Sequence, residues 1–214
     1  MTELFLQGLW DTIFMTLAAT AVAYLVGLPI GVALVVTDDN SIHPMPLIHS
    51  IIGFVVNVVR SVPFLILLIA MIPLTRIVVG TAIGTNATIF VLIVSAAPFI
   101  ARMVESSIKE IDSGVIEAAQ SMGASNKTII WKVMLSEAKP SLVVGMALST
   151  ITILGYSAMA GVIGGGGLGD IAIKYGLYHY KAGIMWLAVA ILVIVVQILQ
   201  EIGMRIAKKI DNRG

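Results

Sequence analysis

Between Asp11 and Asp38 the chain carries no charged residue. The same holds from Ile77 to Ala101, from Pro140 to Gly169 and from Ala182 to Gln200. A helix needs about 20 apolar residues to cross the hydrocarbon of a bilayer, and each of these runs is long enough. Only 12% of the residues are charged, about half the fraction of a soluble domain. The chain therefore reads as an all-α membrane protein.

The charges that remain mark the ends of the spans. Thr12–Val36 is the first, closed by the polar stop Thr37-Asp38-Asp39-Asn40. Gly27 and Gly31 form a small-xxx-small pair suited to close helix packing, and Pro29 between them predicts a kink. The second span, Ile48–Ile72, contains Asn57 and Arg60. An arginine at mid-bilayer costs about 2.5–3.5 kcal/mol even on the lenient insertion scale. Arg60 is accordingly expected near the cytoplasmic interface as a structural or interface residue, with Val62-Pro63 bending the helix just after it. The third span runs from Ile77 to about Val104, with Gly80 and Gly84 loosening its start and a Glu105–Lys109 pair extending it into water. The fourth is 140–161, followed by a glycine-rich exit, Gly161–Gly169, and a tyrosine-rich surface loop, Asp170–Lys181. The fifth is 182–204, before a basic tail of Arg205, Lys208, Lys209 and Arg213. Five spans within a single transmembrane domain, 12–205, are expected.

The longest hydrophilic interval is 110–139. Asp112 or Ser113 can cap a short helix there, with Glu117 in its opening turns and Gly123 as its stop. Ser125 or Asn126 can cap a second, through about Leu135. Ala118-Ala119 beside Glu117 offers a close contact with a polar anchor. Lysine and arginine counts set the orientation. With this interval in the cytoplasm, Arg60, Arg102, Lys109, Lys127, Lys132, Lys139 and the basic tail lie inside, against Arg76, Lys174 and Lys181 outside. The N-terminus is then outside and the C-terminus cytoplasmic.

Several functions are excluded. A net charge of +1 argues against nucleic acid. There is no cysteine, so disulfides and thiolate metal sites are absent, and His43, His49 and His179 lack ligand spacing. No P-loop occurs, and Gly164-x-Gly166-x-x-Gly169 follows a membrane helix where a dinucleotide fingerprint needs a strand. No catalytic residue is read, and no cofactor is expected on this chain. The spans hold no acid, so a proton relay has no place. An external energy source is required, and a homodimer would enclose the path. Tyr156, Ser157 and Met159, polar or soft groups ahead of the glycine-rich exit, are the candidates for lining it.

Glu117-Ala118-Ala119, then Gly123, then Val133-Met134-Leu135, matches the spacing of the EAA loop of ABC importer permeases, with Ser136 where the family has proline. Arg60-Ser-Val-Pro-Phe, Ile72-Pro-Leu-Thr-Arg76, Ala97-Pro-Phe-Ile-Ala-Arg-Met-Val-Glu105 and Gly155-Tyr-Ser-Ala-Met-Ala-Gly161 extend the likeness from about Trp10 to Arg205, and together they resemble the permease subunits of methionine importers. That resemblance implies a type I ABC importer permease fold with five transmembrane helices per subunit in a bacterial inner membrane. It implies a homodimer surrounded by membrane lipid, two separate ATPase subunits carrying ATP and Mg, and an extracytoplasmic substrate-binding lipoprotein. Glu117, Ala118, Ala119, Met122 and Gly123 would form the coupling helix between spans 3 and 4, and the cargo would be D- and L-methionine. A different amino acid or small nutrient, or a non-transporting scaffold or channel subunit, is the alternative.

Overall fold

Polar stops, prolines and glycines decide where the helices end. In the structure, a computed structural model that describes residues 1–210, α1 is Thr2–Val36, α2 Pro46–Ser61, α3 Phe64–Ala70, α4 Ile72–Val79 and α5 Thr85–Lys109. The central interval holds α6, Ser113–Ser121, and then α7, Asn126–Thr128. The latter passes through a π-helical stretch, Ile129–Met134, into α8, Leu135–Glu137. The rest is α9, Lys139–Met159, a 3-10 turn Ala160–Ile163, α10 Gly167–Ile171 with a π-helical extension Ala172–Tyr178, and α11 Ala182–Ile210. No strand occurs among the described residues. Four helical stretches are long and apolar enough to cross a membrane, and α2 with α3 makes a fifth if counted as one broken span. Arg213 lies outside the described residues.

Three boundaries differ from the sequence reading. First, α2 begins at Pro46 and not at Ile48, so Arg60 lies about 21 Å along the helix at 1.5 Å per residue. The helix then breaks at Val62-Pro63, where the axis turns by 99°, because proline lacks the N–H that would continue it. Second, the third span starts at Thr85, not at Ile77. Residues 72–79 form the separate helix α4, which Gly80 ends in a left-handed conformation, φ 85°, that other residues adopt only at a cost. Third, the stretch after Asp170 is helical. Leu168 and Ile171 pack with Phe5, Ile184 and Ala188, and that burial overrides the loop-like composition.

The chain forms two compact units. One comprises Met1–Ala23, Val62–Ala96 and Leu148–Ile202; the other comprises Tyr24–Ser61, Ala97–Ala147 and Gly203–Gly214. The first is built round Met15, Leu68, Leu92, Ile153 and Leu168, the second round Leu34, Ile100, Val104, Ile129 and Met134, all fully buried. In the second unit Gly27 and Gly31 do the packing expected of them. A β-carbon at Gly27 would stand 2.7 Å from the Ala97 carbonyl oxygen, and one at Gly31 2.5 Å from that of Ala101. The basic residues sort in the same way as the loop counts. Arg76, Lys174 and Lys181 fall in the first unit, and every other described lysine and arginine falls in the second.

Candidate functional site: an exposed capped helix and its supports

Helix α6 is closed at both ends. Asp112 is its N-cap, with Oδ1 accepting from the Gly114 N–H at 2.7 Å. At the other end the Gly123 N–H donates to the Gln120 carbonyl and the Ala124 N–H to the Ala119 carbonyl, while Gly123 has φ 76°. That pair of bonds is the Schellman arrangement, which leaves few carbonyls open at the helix end. Ser125 caps the next helix, accepting from the Thr128 N–H at 3.3 Å. The sequence left Asp112 or Ser113 and Ser125 or Asn126 open; Asp112 and Ser125 make the bonds. A nine-residue helix is too short to persist in water on its own, so the caps and the packing beneath it are what hold it.

The packing defines two faces. Ala119 is buried, as are Ile129 and Met134 of the π-helical stretch. Glu117, Ala118, Ser121 and Met122 are exposed, Met122 to 81%, and Trp131 of the following stretch to 68%. Small, acidic and large apolar side chains thus stand together on a stiff helix outside the apolar spans. Such a face suits a groove on another protein: Met122 supplies apolar area, Ala118 allows close approach and Glu117 sets polarity. Of the five sequence candidates here, Ala119 is the one turned inward.

A chain of charges secures the base of this segment. Lys109 Nζ, at the end of α5, lies 2.7 Å from Asp38 Oδ2 and 3.0 Å from Glu105 Oε1. Arg102 donates to Glu105 Oε2 at 2.6 Å, to Asn57 Oδ1 at 2.9 Å and to the Gly53 carbonyl at 3.2 Å. The hydrogen bond from Lys109 holds the Asp38 carboxyl below its ordinary pKa. The Ser141 hydroxyl of α9 lies 3.0 Å from both Ser107 and Glu110 Oε2. A pocket of about 330 Å³ opens behind α6, bordered by Asp38, Ser41, Lys109, Glu117, Gln120 and Met134. The Glu105–Lys109 spacing was legible in the sequence. The partners Asp38 and Asn57 were not, although Arg102, Glu105 and Lys109 at i, i+3 and i+7 signal one charged face on α5.

The candidate path residues divide. Tyr156 stacks on Phe64 with ring centroids 4.5 Å apart and planes 3° from parallel. Met159 is half exposed. Ser157 is 1% exposed and donates to the Leu154 carbonyl of its own helix at 2.7 Å, so it lines no aqueous path in this conformation. Polarity in an apolar span drew attention to it, but a hydroxyl can be satisfied within its helix. Arg60 and Pro63 are both exposed.

Beyond them the glycine-rich turn is tied to α1 and α5 by hydroxyls and backbone. Thr12 Oγ1 accepts from the Leu168 N–H at 2.8 Å, Thr88 Oγ1 lies 3.1 Å from the Gly165 carbonyl, and the Gly84 N–H donates to the Gly164 carbonyl at 3.0 Å. Gly164, Gly166 and Gly167 have positive φ, and a β-carbon on Gly161 or Gly169 would collide with the backbone of Gly169 or Ala158. Sequence composition predicts a departure from helix here; the threonine partners were not read from it.

Residues 24–211 match the family described as "Binding-protein-dependent transport system inner membrane component". The "Probable D-methionine transport system permease protein MetI" of Vibrio cholerae is 44% identical over 99% of this chain and 94% of its own length. The "Methionine import system permease protein MetP" of Bacillus subtilis is 43% identical over 84% of this chain and 81% of its own. A chain of the inward-facing "MetNI methionine ABC transporter", in its native crystal form, superposes with a TM-score of 0.97 at 44% identity, covering 99% of this chain and 98% of that one. A chain from an amino acid ABC transporter with histidines shares the fold at a TM-score of 0.75 and 22% identity.

Proposed function

Because the chain belongs to the family of binding-protein-dependent transport system inner membrane components, we infer that it is the permease subunit of an ATP-driven methionine importer. Its fold is that of the type I ABC importer permeases, and it is a multi-pass protein of the inner membrane. The observation that carries the reading is α6, a doubly capped helix whose Glu117, Ala118 and Met122 face outward at the letters of the EAA loop.

Two copies of the chain enclose the path, and each presents its α6 to an ATPase subunit that binds ATP and Mg. This chain catalyses nothing itself. A short capped helix transmits a rigid-body displacement without bending, and the charge chain from Asp38 to Arg102 carries it from the end of α5 to α2. ATP binding closes the ATPases, draws the two α6 helices together and opens the path outward to a substrate-binding lipoprotein. The C-terminus lies in the cytoplasm and the N-terminus outside; the sorting of basic residues between the two units supports this. Tyr156 and Met159 are the path residues kept in this reading, with D- and L-methionine as cargo.

The test is uptake of labelled methionine into vesicles holding the permease with its ATPase and binding-protein partners. Uptake should need ATP and be competed by both enantiomers. Glu117→Arg should leave ATP hydrolysis in place and remove most of the uptake. Uptake independent of ATP, or a purified complex without a nucleotide-hydrolysing subunit, would refute the reading.

A further inference from the structure

Two arginines of the second unit stand in apolar helices and are treated in opposite ways. Arg102 is neutralised by Glu105 and also donates to Asn57 and to the Gly53 carbonyl. Arg60 lies on α2 one turn beyond Asn57, is exposed, and makes no hydrogen bond or ion pair with any described residue. Its depth follows from its neighbours. His49 Nδ1 lies 2.9 Å from the Leu34 carbonyl, so the first turn of α2 is level with the last turns of α1, just before the polar stop at Thr37. From His49 to Arg60 the helix advances about 16 Å, roughly half of the 30 Å hydrocarbon thickness. A bare guanidinium at that depth facing lipid would be among the costliest placements a membrane chain can make. Snorkelling relieves it only near an interface. The helix ends one residue later, and in transporters such interruptions are tolerated where they border a cavity near the midplane.

The transported molecule in the reading above carries one carboxylate, and no described residue near Arg60 supplies one to it. We propose that Arg60 is the cationic contact for the carboxylate of the amino acid in transit, at the midplane of the path. A guanidinium suits this task, because it binds a carboxylate through two parallel N–H donors and stays charged at any physiological pH. The proposal rests on the amino-acid importer reading, and the side chain of methionine plays no part in it. Arg60 thereby reads the group common to D- and L-amino acids.

The absence of cysteine from the chain makes the test direct. In the reconstituted complex, R60C should be modified by the water-soluble anion 2-sulfonatoethyl methanethiosulfonate, as a side chain facing an aqueous path must be. In the same vesicles R60Q should lower methionine uptake roughly ten- to hundredfold, the worth of a charge-assisted contact, and R60K should recover part of it. No modification of R60C would place the residue against lipid or a second copy of the chain and overturn the proposal. So would wild-type uptake by R60Q. If R60Q fails to assemble, the R60C labelling still decides. Wild-type vesicles that take up no methionine would instead overturn the functional reading beneath it.

Discussion

The interval 112–137 and the turn 160–169 both interrupt apolar helices, and they are held by opposite means. The first is held by side-chain caps, Asp112 and Ser125, and by the Schellman bonds around Gly123, with Glu117, Ala118 and Met122 outward. The second is held by backbone laid against backbone and by two buried threonine hydroxyls, with little of it exposed. One is a handle whose surface can change without unfolding the chain. The other is a clasp whose interior has no room to change.

Substitutions should separate the two. The largest effect is expected at Gly169→Val, where the new side chain would meet the Ala158 carbonyl within the backbone itself. Overpacking against side chains costs about 1–3 kcal/mol, and here no flexible group can yield, so folded complex should be nearly absent from detergent extracts. Thr12→Val leaves the Leu168 N–H buried without its acceptor. That omission should cost about 1–3 kcal/mol and lower the melting temperature while the complex still forms. Gly123→Val faces open space but keeps φ 76°, a conformation that costs a non-glycine residue about 1–2 kcal/mol. It should melt slightly earlier than wild type yet lose uptake out of proportion to the loss of folded complex, because the strained cap fixes α6 less firmly.

The smallest effect is expected at Asp38. Its carboxyl pKa is lowered in the folded chain, so the stability it contributes is present at neutral pH and lost as pH falls through its folded pKa. Asp38→Asn should melt earlier than wild type at pH 7, by no more than a few tenths of a kcal/mol for a partly exposed pair. The difference should begin to shrink below about pH 4, the ordinary aspartate pKa, and vanish once pH falls below the lowered folded pKa. A difference that persists in acid would mean that Asp38 acts through packing and not through its charge.

The handle was more legible than the clasp. Caps, the E-A-A letters and the Gly123 stop are local signals, readable within a few residues of one another. The contacts of the clasp join Thr12 to Leu168 and Thr88 to Gly165, and no local pattern announces such partners. The same reason hid Asp38 from Lys109. The position of Arg60 along α2 was not legible, because no local pattern shows where that helix begins. Its first turn is fixed by Pro46 and by the contact of His49 with Leu34, which is tertiary information. Residues 172–178 read as a loop on composition, and packing made them helix. In each case the local signal was correct in kind and was outweighed by burial or by a distant partner.

One measurement bears most directly on the claim that α6 is the docking helix. M122C, the single cysteine in an otherwise cysteine-free chain, should cross-link to an ATP-hydrolysing subunit in membranes, and should resist membrane-impermeant thiol reagents added to intact cells. Labelling of that cysteine from the outside, or cross-links to lipid-embedded partners alone, would contradict the account.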